Sequence, residues 1–304
     1  MKSVSREVTM FPLEEEYKKG TGIKPADIEK LREWLKTQAH LPGDHITDLD
    51  LILAYHSCSR STEVTKQVLD LNLTLRTLFT NLFQNRVFDE RIERTLNTVI
   101  IKPLPTRSRD GCACLYAYFN DKDPKNFVLL DILRTVLMIM DLWQYEEGTW
   151  PGCTIVADLQ NIGISHLMCF DYTNLQHFFF FAQEAIWMKT KALHFINAPP
   201  FMDKIMSLLK PLVKNLDFFI IHSRGYSSIE TVIPLEALPK DVGGDYLSLE
   251  ECKADTIAKL KTNSAFFEAE SLKRVCESRR PGKPKTVTDF FGGVEGSFKL
   301  LDID

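Results

Sequence analysis

The sequence lacks long hydrophobic runs and a strong charge of either sign. None of its 304 residues belongs to an uninterrupted apolar stretch of about 18, the length that a bilayer-spanning helix needs. The nearest candidate, residues 127–140, is interrupted by Asp131 and Arg134, so no membrane span is predicted. A net charge of −4 and a pI near 6.0 argue against a general nucleic-acid-binding protein, because such proteins need a broad basic field.

A secretory signal and a disulfide framework are also missing from the sequence. Residues 1–6 are not followed by an apolar h-region. The seven cysteines are an odd number, widely scattered, which is typical of reduced thiols. Cys112 and Cys114 lie two apart in a strand-like run, and core packing is favoured for them because no second ligand pair has zinc-site spacing. The sequence therefore predicts a cytoplasmic protein without a metal or cofactor.

Signatures of catalysis are absent as well. The sequence contains no P-loop and no dinucleotide-binding glycine motif, and residues 163–167 begin like a nucleophile elbow but lack its second glycine. His194 and His222 lie within strand-like runs, where a structural role is favoured over a ligand or base. Asp158 ends a strand, where capping or loop anchoring is favoured over catalysis. These patterns favour a protein that is not an enzyme.

Hydrophobic periodicity divides the chain into a helical first part and an alternating second part. Apolar stripes predict helices that begin at Pro25, Asp48 and Glu63. After residue 100, strands are predicted over 112–119, 152–158, 193–197 and 218–222, and helices over 131–145, 172–189 and 201–213. Strands that alternate with helices predict an α/β fold with a largely parallel sheet.

Composition suggests three regions along the chain. We expect an N-terminal helical unit over residues 1–95 and the α/β domain over residues 96–255. A C-terminal extension over 256–304 follows, because hydrophobic patterning weakens there. Within it, the proline- and arginine-rich residues 279–285 are expected to form a partly mobile linker.

Three of the predicted helices carry more apolar surface than one packed face requires. Residues 127–143 are apolar on almost every face, and residues 178–188 and 201–213 are similar. A helix that is apolar all round is buried on two sides. Either the protein has a thick core, or these helices lie between a sheet and an apolar ligand, and periodicity alone leaves both interpretations open.

A series of motifs in the second part resembles the CRAL-TRIO lipid-binding domain. In chain order they are 156–160 (VADLQ), 193–201 (LHFINAPPF), 209–213 (LKPLV), 220–222 (IIH) and 238–244 (LPKDVGG). The helical first third is similar to the unit that precedes this domain, and residues 293–298 (GVEGSF) resemble the tail of insect members. The resemblance covers residues 25–298. It implies a sheet floor and helices that enclose an apolar pocket, with residues 201–213 as a movable lid.

The resemblance to the tocopherol- and retinal-carrier branch implies a function and a site. The expected function is the binding of a tocopherol, retinoid, carotenoid or similar isoprenoid lipid and its transfer between membranes, without nucleic acid as a partner. The expected pocket residues are Ile132, Val136, Ile139, Ile162, Phe170, Phe178, Phe181, Ile186 and Leu193. The expected lid residues are Phe201, Ile205 and Leu209.

Carrier members of this family also hold a phosphoinositide headgroup on a basic patch. By resemblance, Lys189 and Lys191 fall at two of its positions, and the other candidates are Lys210 and Lys214. This sequence departs from the family at residues 54–60 (AYHSCSR), which lose the usual basic positions, and after Pro211, where the expected basic residues are apolar. Met188 replaces the glutamate of phosphatidylinositol carriers. These departures argue against phosphoinositide dependence and against phosphatidylinositol as the cargo.

Two alternatives from other functional classes stay open. The first is a phosphoinositide-responsive adaptor that uses a lipid-binding domain only to dock on membranes, and a strong basic surface would favour it. The second is an enzyme that acts on a bound lipid. A polar group that converges with Asp158 or His194 inside the pocket would favour the enzyme.

Overall fold

A computed structural model describes residues 7–291. Within that range the chain forms thirteen α-helices and five strands, joined by short 3₁₀ turns. The predicted α/β fold with a helical N-terminal unit is confirmed. The tail motif at residues 293–298 lies outside the described residues.

The N-terminal unit consists of six helices. They are α1 (Leu13–Lys18), α2 (Pro25–Lys36), α3 (Asp48–Ser57), α4 (Thr62–Leu78), α5 (Thr80–Phe83) and α6 (Glu90–Thr98). The start of α3 is fixed by a capping box, in which the Thr47 hydroxyl accepts from the Asp50 amide at 3.1 Å and the Asp50 carboxylate accepts from the Thr47 amide at 2.8 Å. The single helix predicted from Glu63 is interrupted at Phe79, whose ψ of 64° is not helical. The buried Phe79 ring stacks on His177 with centroids 4.1 Å apart.

The second part is built on a five-stranded sheet. Its strands are β1 (Val99–Leu104), β2 (Ala113–Phe119), β3 (Cys153–Asp158), β4 (Thr190–Ile196) and β5 (Phe219–Ile221), and they pair in that order. The strands β2 to β5 are parallel, and β1 pairs antiparallel with β2. The parallel part was predicted, whereas β1 was not.

Two long helices and one short one cover one face of the sheet. They are α7 (Leu129–Glu147), α8 (Tyr172–Glu184) and α9 (Met202–Leu209). The predicted helix over 172–189 therefore ends five residues early, and the predicted lid over 201–213 is a two-turn helix followed by a 3₁₀ turn, Lys210–Leu212. Pro211 lacks the amide hydrogen that a continuing α-helix needs.

The opposite face of the sheet is covered by α10 (Tyr226–Ile229), the turns that follow it, and α11 (Leu249–Thr262). Successive residues of each strand point to opposite faces, so Leu115 and Ala157 belong to the core under α7, and Tyr116 and Val156 to the other core. Thr256 of α11 donates to the carbonyl oxygen of Ile101 at 3.0 Å. This bond satisfies one carbonyl group of the edge strand β1.

The remaining helices are α12 (Ser264–Ser271) and α13 (Thr288–Phe291). The helix α11 runs through residue 255, where the sequence placed a domain boundary, and the division into three regions stays a prediction. The expected mobile linker differs from the structure at Arg280. Its guanidinium donates to both oxygens of Asp70 at 2.8 Å and to Glu277 at 2.7 Å. The ion pair with Asp70 therefore ties this segment to α4, and the ion pair with Glu277 is local.

A buried ion network joins the N-terminal unit to the sheet domain. Arg76 of α4 donates to both oxygens of Asp141 of α7 at 2.9 and 3.0 Å, and Arg86 donates to the same carboxylate at 2.6 Å. Lys273 pairs with Asp50 at 2.8 Å and also contacts Glu270, and Glu270 lies 3.4 Å from Arg76. The two arginines lower the pKa of Asp141 despite its burial. A buried carboxylate needs such partners to stay ionised.

Candidate ligand-binding site

A cavity of about 170 Å³ lies between the sheet and the helices α7, α8 and α9. All of the described residues that line it are apolar. The floor comes from alternate residues of β1 to β4, among them Ile101, Leu115, Ala117, Ala157 and Leu193. Such a cavity offers no hydrogen-bond partner from its side chains, so it suits an apolar molecule.

Most of the residues that the sequence suggested for the pocket and lid meet at this cavity. Eight of them line it: Ile132, Val136, Ile162, Phe170, Phe178, Leu193, Ile205 and Leu209. They come from α7, α8, α9, β4 and the segment after β3. The structure thus brings together residues that are far apart in the sequence.

Four of the suggested residues lie elsewhere. Ile139 lines a second cavity farther along α7. Phe181 is fully buried against Phe83, with ring centroids 4.7 Å apart, because the twist of α8 turns it away from the cavity. Ile186 follows the end of α8 and borders a small space beside Trp187. Phe201 precedes α9 and packs on the core outside the cavity lining.

Sequence reasoning missed much of the cavity floor. Leu115, Ala117, Ile155, Ala157 and Phe195 all line the cavity, but none was suggested. Period-two alternation was the available signal: Leu193 was suggested, and Phe195 lies two residues farther along on the same face of β4.

Asp158 lies at the end of β3 on the sheet face opposite to the cavity. Its fully buried carboxylate accepts hydrogen bonds from the hydroxyls of Tyr116 at 2.9 Å and Tyr226 at 2.5 Å, from the Asn197 amide group at 2.9 Å, and from the backbone of Gln160 at 3.1 Å. Burial and the nearby carboxylate raise the pKa of both tyrosines, so both remain donors. This arrangement agrees with the loop-anchoring interpretation of Asp158.

His194 forms a pair with His222 on the same side as Asp158. His194 Nδ1 lies 2.8 Å from His222 Nε2, and His222 Nδ1 lies 3.1 Å from the carbonyl oxygen of Ser228. A carbonyl only accepts, so His222 donates from Nδ1 and accepts at Nε2 from His194. Burial, followed by the neighbouring His222, lowers the pKa of His194 to about 4. The pair is therefore neutral near pH 7 and holds β4 against the segment after β5.

The lysines suggested for a phosphoinositide headgroup have different surroundings. Lys189 lies near His56, and burial followed by the charge of Lys189 lowers the pKa of His56 to about 4. Lys191 is exposed on β4, and Lys210 is exposed at the end of α9. Lys214 forms an ion pair with Glu184 of α8 at 2.7 Å.

Both ends of the predicted lid are tied by side-chain amides. Asn197, just before α9, has a positive φ of 51°, which asparagine tolerates better than most residues, and its amide group is held by Asp158. After α9, the Gln183 side chain donates to the carbonyl oxygen of Leu212 and accepts from the amide of Lys214, both at 2.8 Å. These bonds fix the chain on either side of α9, at Asn197 and at Leu212.

Two family models match this chain. Residues 98–244 match the model described as CRAL/TRIO domain, and residues 23–92 match the one described as Pinta-like, UBA domain. This chain carries a CRAL/TRIO domain. The predicted family is confirmed, and the second match covers the helical N-terminal unit.

The CRAL/TRIO chain is homologous to several named proteins. It is 26% identical to "Alpha-tocopherol transfer protein-like" of Mus musculus over 204 residues, 66% of this chain and 54% of that one. It is 22% identical to "Clavesin-1" of Xenopus laevis over 223 residues, 72% of this chain and 67% of that one. The chain thus spans about half the length of the first of these relatives.

A solved structure, that of Sfh5, superposes over 92% of this chain and 99% of its own with 12% identity and a TM-score of 0.44. Within residues 7–291, none of the helices is both long and apolar enough to cross a bilayer.

Proposed function

We propose that this CRAL/TRIO protein binds one small hydrophobic ligand in the apolar cavity and transfers it between membranes in the cytoplasm. The supporting observation is the cavity of about 170 Å³ whose described lining is entirely apolar. The ligand class is that of isoprenoid lipids such as tocopherols, retinoids and carotenoids. The similarity to "Alpha-tocopherol transfer protein-like" of Mus musculus supports the same class.

The cavity is too small for a lipid unless a neighbouring element such as α9 moves. An apolar cavity of about 150 Å³ binds benzene, whereas pockets for drug-sized ligands start near 300 Å³. A lipid therefore needs space beyond the 170 Å³ of this cavity. We propose that α9 is the element that yields, because it lines the cavity with Ile205 and Leu209 and packs mainly against the 3₁₀ turn that follows it. By contrast, α8 packs against α4, α5 and α7.

Burial of the ligand supplies enough free energy to hold a lipid. Removing roughly 400 to 500 Å² of apolar ligand surface from water contributes about 10 to 12 kcal/mol before association costs. Release into water would reverse that gain. Transfer therefore requires contact with a membrane, where the ligand exchanges one apolar environment for another.

Exposed apolar side chains border the cavity wall and are suited to that contact. Met168 is 88% exposed and Ile164 is 51% exposed. They lie between Ile162 and Phe170, which both line the cavity. The exposed Val128 is likewise adjacent to cavity-lining neighbours, and one of them, Phe127, packs on Phe170 with ring centroids 6.1 Å apart. We propose that this rim enters the lipid surface when α9 opens.

A vesicle assay tests the proposal. A fluorescent hydrophobic ligand is loaded into donor vesicles, and its transfer to acceptor vesicles is followed with and without the protein. Met168→Asp should lower the transfer rate about tenfold or more, because a carboxylate resists burial in lipid, and should leave ligand binding in solution unchanged. Leu272→Asp is the matched control, since Leu272 is 53% exposed directly after α12 and does not line the cavity.

Two outcomes would count against the carrier function. The protein isolated from its own tissue could contain no lipid by native mass spectrometry and bind none of a tocopherol, retinoid, carotenoid and phospholipid panel. Alternatively, it could bind a lipid without accelerating transfer, which would favour a storage or docking protein.

We infer that the bound ligand is carried without chemical change. The enzyme alternative relied on Asp158 or His194 facing the ligand, and both lie on the sheet face opposite to the cavity. The phosphoinositide role of Lys189, Lys191, Lys210 and Lys214 stays a weaker proposal, because Lys214 is already paired with Glu184. Adding a phosphoinositide to the acceptor vesicles tests it, with an increase in transfer rate as the supporting result.

A further inference from the structure

The last described helix, α13, packs on a side of α8 that lies away from the apolar cavity. The ring of Phe291 lies 5.1 Å from the ring of Phe180 and 5.3 Å from that of His177, measured between centroids. The ring of Phe290 lies 5.8 Å from that of Phe180. Neither Phe180 nor His177 lines the apolar cavity. The helix α13 is therefore a cover on the other side of the cavity wall.

This contact accounts for the run of four phenylalanines in α8. Successive residues of an α-helix point about 100° apart, so four apolar residues in a row need partners on every side. Phe178 and Phe179 line the apolar cavity, and Phe181 packs on Phe83 with ring centroids 4.7 Å apart. Phe180 is the remaining one, and both rings of α13 pack on it. One apolar position of α8 thus has its partner in the C-terminal segment.

The chain before α13 is anchored on the N-terminal unit. The amide of Cys276 donates to the carbonyl oxygen of His40 at 2.9 Å, and Arg280 pairs with Asp70 of α4 at 2.8 Å. A short stretch of chain, residues 281–287, leads from this anchor to α13.

By contrast, α13 has little structure of its own. It is four residues long, and a helix of that length is not stable in isolation. Its start is held by Asp289, whose carboxylate accepts from the amide of Thr286 at 2.7 Å and from its hydroxyl at 2.8 Å. Phe290 and Phe291 are half-buried. The position of α13 therefore depends mainly on the packing of these two rings on α8.

The helix α8 also holds the chain that follows α9. Gln183 of α8 bonds to the backbone of Leu212 and of Lys214. Gln183, Leu212 and Phe291 all border one open groove of about 240 Å³. The end of α13, the helix that forms a wall of the apolar cavity, and the turn after α9 therefore meet at this groove.

We propose that α13 is a clamp that controls how fast a ligand enters and leaves the apolar cavity. While its rings pack on α8, that helix is held in place, and Gln183 keeps the turn after α9 beside it. When α13 leaves α8, Phe180 loses its cover, and α8 and the chain after α9 gain freedom to move. No residue of α13 lines the cavity, so the clamp acts on the rate of exchange and not on the affinity. This inference rests on the proposed carrier function and adds a regulation of the same site.

Two variants release the clamp in different ways. Phe291→Ala removes the ring that contacts both Phe180 and His177, and Asp289→Ala keeps both rings but removes the bonds to Thr286. Dissociation of naphthalene, a small fluorescent apolar probe, is followed by stopped-flow mixing with empty vesicles. It should become about tenfold faster in Phe291→Ala and about threefold faster in Asp289→Ala. The equilibrium affinity should change less than about twofold in both variants.

Phe266→Ala is the matched control. Phe266 is half-buried like Phe291, its ring packs on Tyr145 with centroids 4.9 Å apart, and it does not line the apolar cavity. This control should leave the dissociation rate unchanged. A double variant tests the route through Gln183: Phe291→Ala should add little to the acceleration that Gln183→Ala causes, and effects that multiply would overturn this route.

Hydrogen exchange detects the same release without a ligand. The amide of Lys214 donates to Gln183, so in Phe291→Ala it should exchange at least about fivefold faster than in the wild type. The amides of α2, which lies in the N-terminal unit, should keep their exchange rates.

The outcomes separate the clamp from the carrier function. If naphthalene dissociation and exchange of the Lys214 amide are the same in Phe291→Ala and Phe266→Ala, the clamp is overturned and the carrier function stands. If the affinity falls as much as dissociation accelerates, the ring supports the cavity itself, and the clamp is again overturned. If the wild-type protein binds neither naphthalene nor any lipid of the panel, the carrier function fails, and hydrogen exchange alone decides whether α13 holds α8.

Discussion

Ala117 and Ala157 give the most direct way to fill the apolar cavity from its floor. They are register partners in β2 and β3, and both line the cavity. At about 24 cal/mol per Å³, a cavity of about 170 Å³ costs roughly 4 kcal/mol of stability relative to a filled core. Ala117→Leu places a larger apolar side chain in that space, so the free energy of unfolding should rise by about 1 kcal/mol, a fraction of that cost. The affinity for a small apolar probe should fall at least about tenfold.

The control lies in the same strand. Ala113 points to the same face as Ala117, since they are four residues apart, but it is fully buried and does not line the cavity. Ala113→Leu should lower the free energy of unfolding by about 1–3 kcal/mol through overpacking. Urea unfolding and probe titration measure both variants. If Ala117→Leu destabilised the protein as much as Ala113→Leu, or left probe affinity unchanged, the space over Ala117 would not be the ligand site.

Three further predictions concern the supports of the site. Arg76→Met should lower the free energy of unfolding by about 1.5–3 kcal/mol, because it removes the bidentate partner of the buried Asp141 and leaves only Arg86 to pair with it; a loss below about 1 kcal/mol in urea unfolding would contradict the importance of the network. Gln183→Ala removes two hydrogen bonds after α9, so ligand exchange and proteolysis near Lys214 should accelerate while global stability changes little. In the folded protein the pKa of His194 is lowered to about 4, whereas in the unfolded chain it is about 6.5. Between these two pH values the unfolded chain binds more protons than the folded protein, so the free energy of unfolding falls as the pH falls from about 6.5 to about 4. His194→Gln should flatten that pH dependence; an unchanged slope would show that other groups dominate.

The elements with a strong period were predictable from the sequence. Strand β3 is a continuous apolar run because it is covered on both faces, and α2 shows a one-sided apolar stripe that its buried face explains. Strand β1 was missed, because Lys102 and Pro103 interrupt its apolar pattern. Pro103 is tolerated at the edge of a sheet, and the carboxylate of Asp255 compensates for Lys102. Both compensations come from the tertiary structure.

The cavity was only partly predictable for a related reason. A helix that is apolar all round gives no sign of which side meets a ligand, so Ile139 and Phe181 could not be told apart from Val136 and Phe178. Ala117 and Ala157 contribute to the site because their small side chains leave space above the sheet. That space depends on how far α7 and α8 stand from the strands, which no local pattern encodes.

Strand β4 links the cavity to the end of the predicted lid. Leu193 and Phe195 line the cavity. His194, between them, points to the other face and belongs to a polar cluster with His222. Asn197 follows the strand, and its side-chain amide donates to Asp158 of the same polar cluster. Because side chains alternate with a period of two, a slip of one residue would turn His194 into the apolar cavity and remove its partner, at a cost of about 1–3 kcal/mol for an unpaired polar group. The polar cluster therefore fixes the register of β4, and with it the position of the segment that leads into α9.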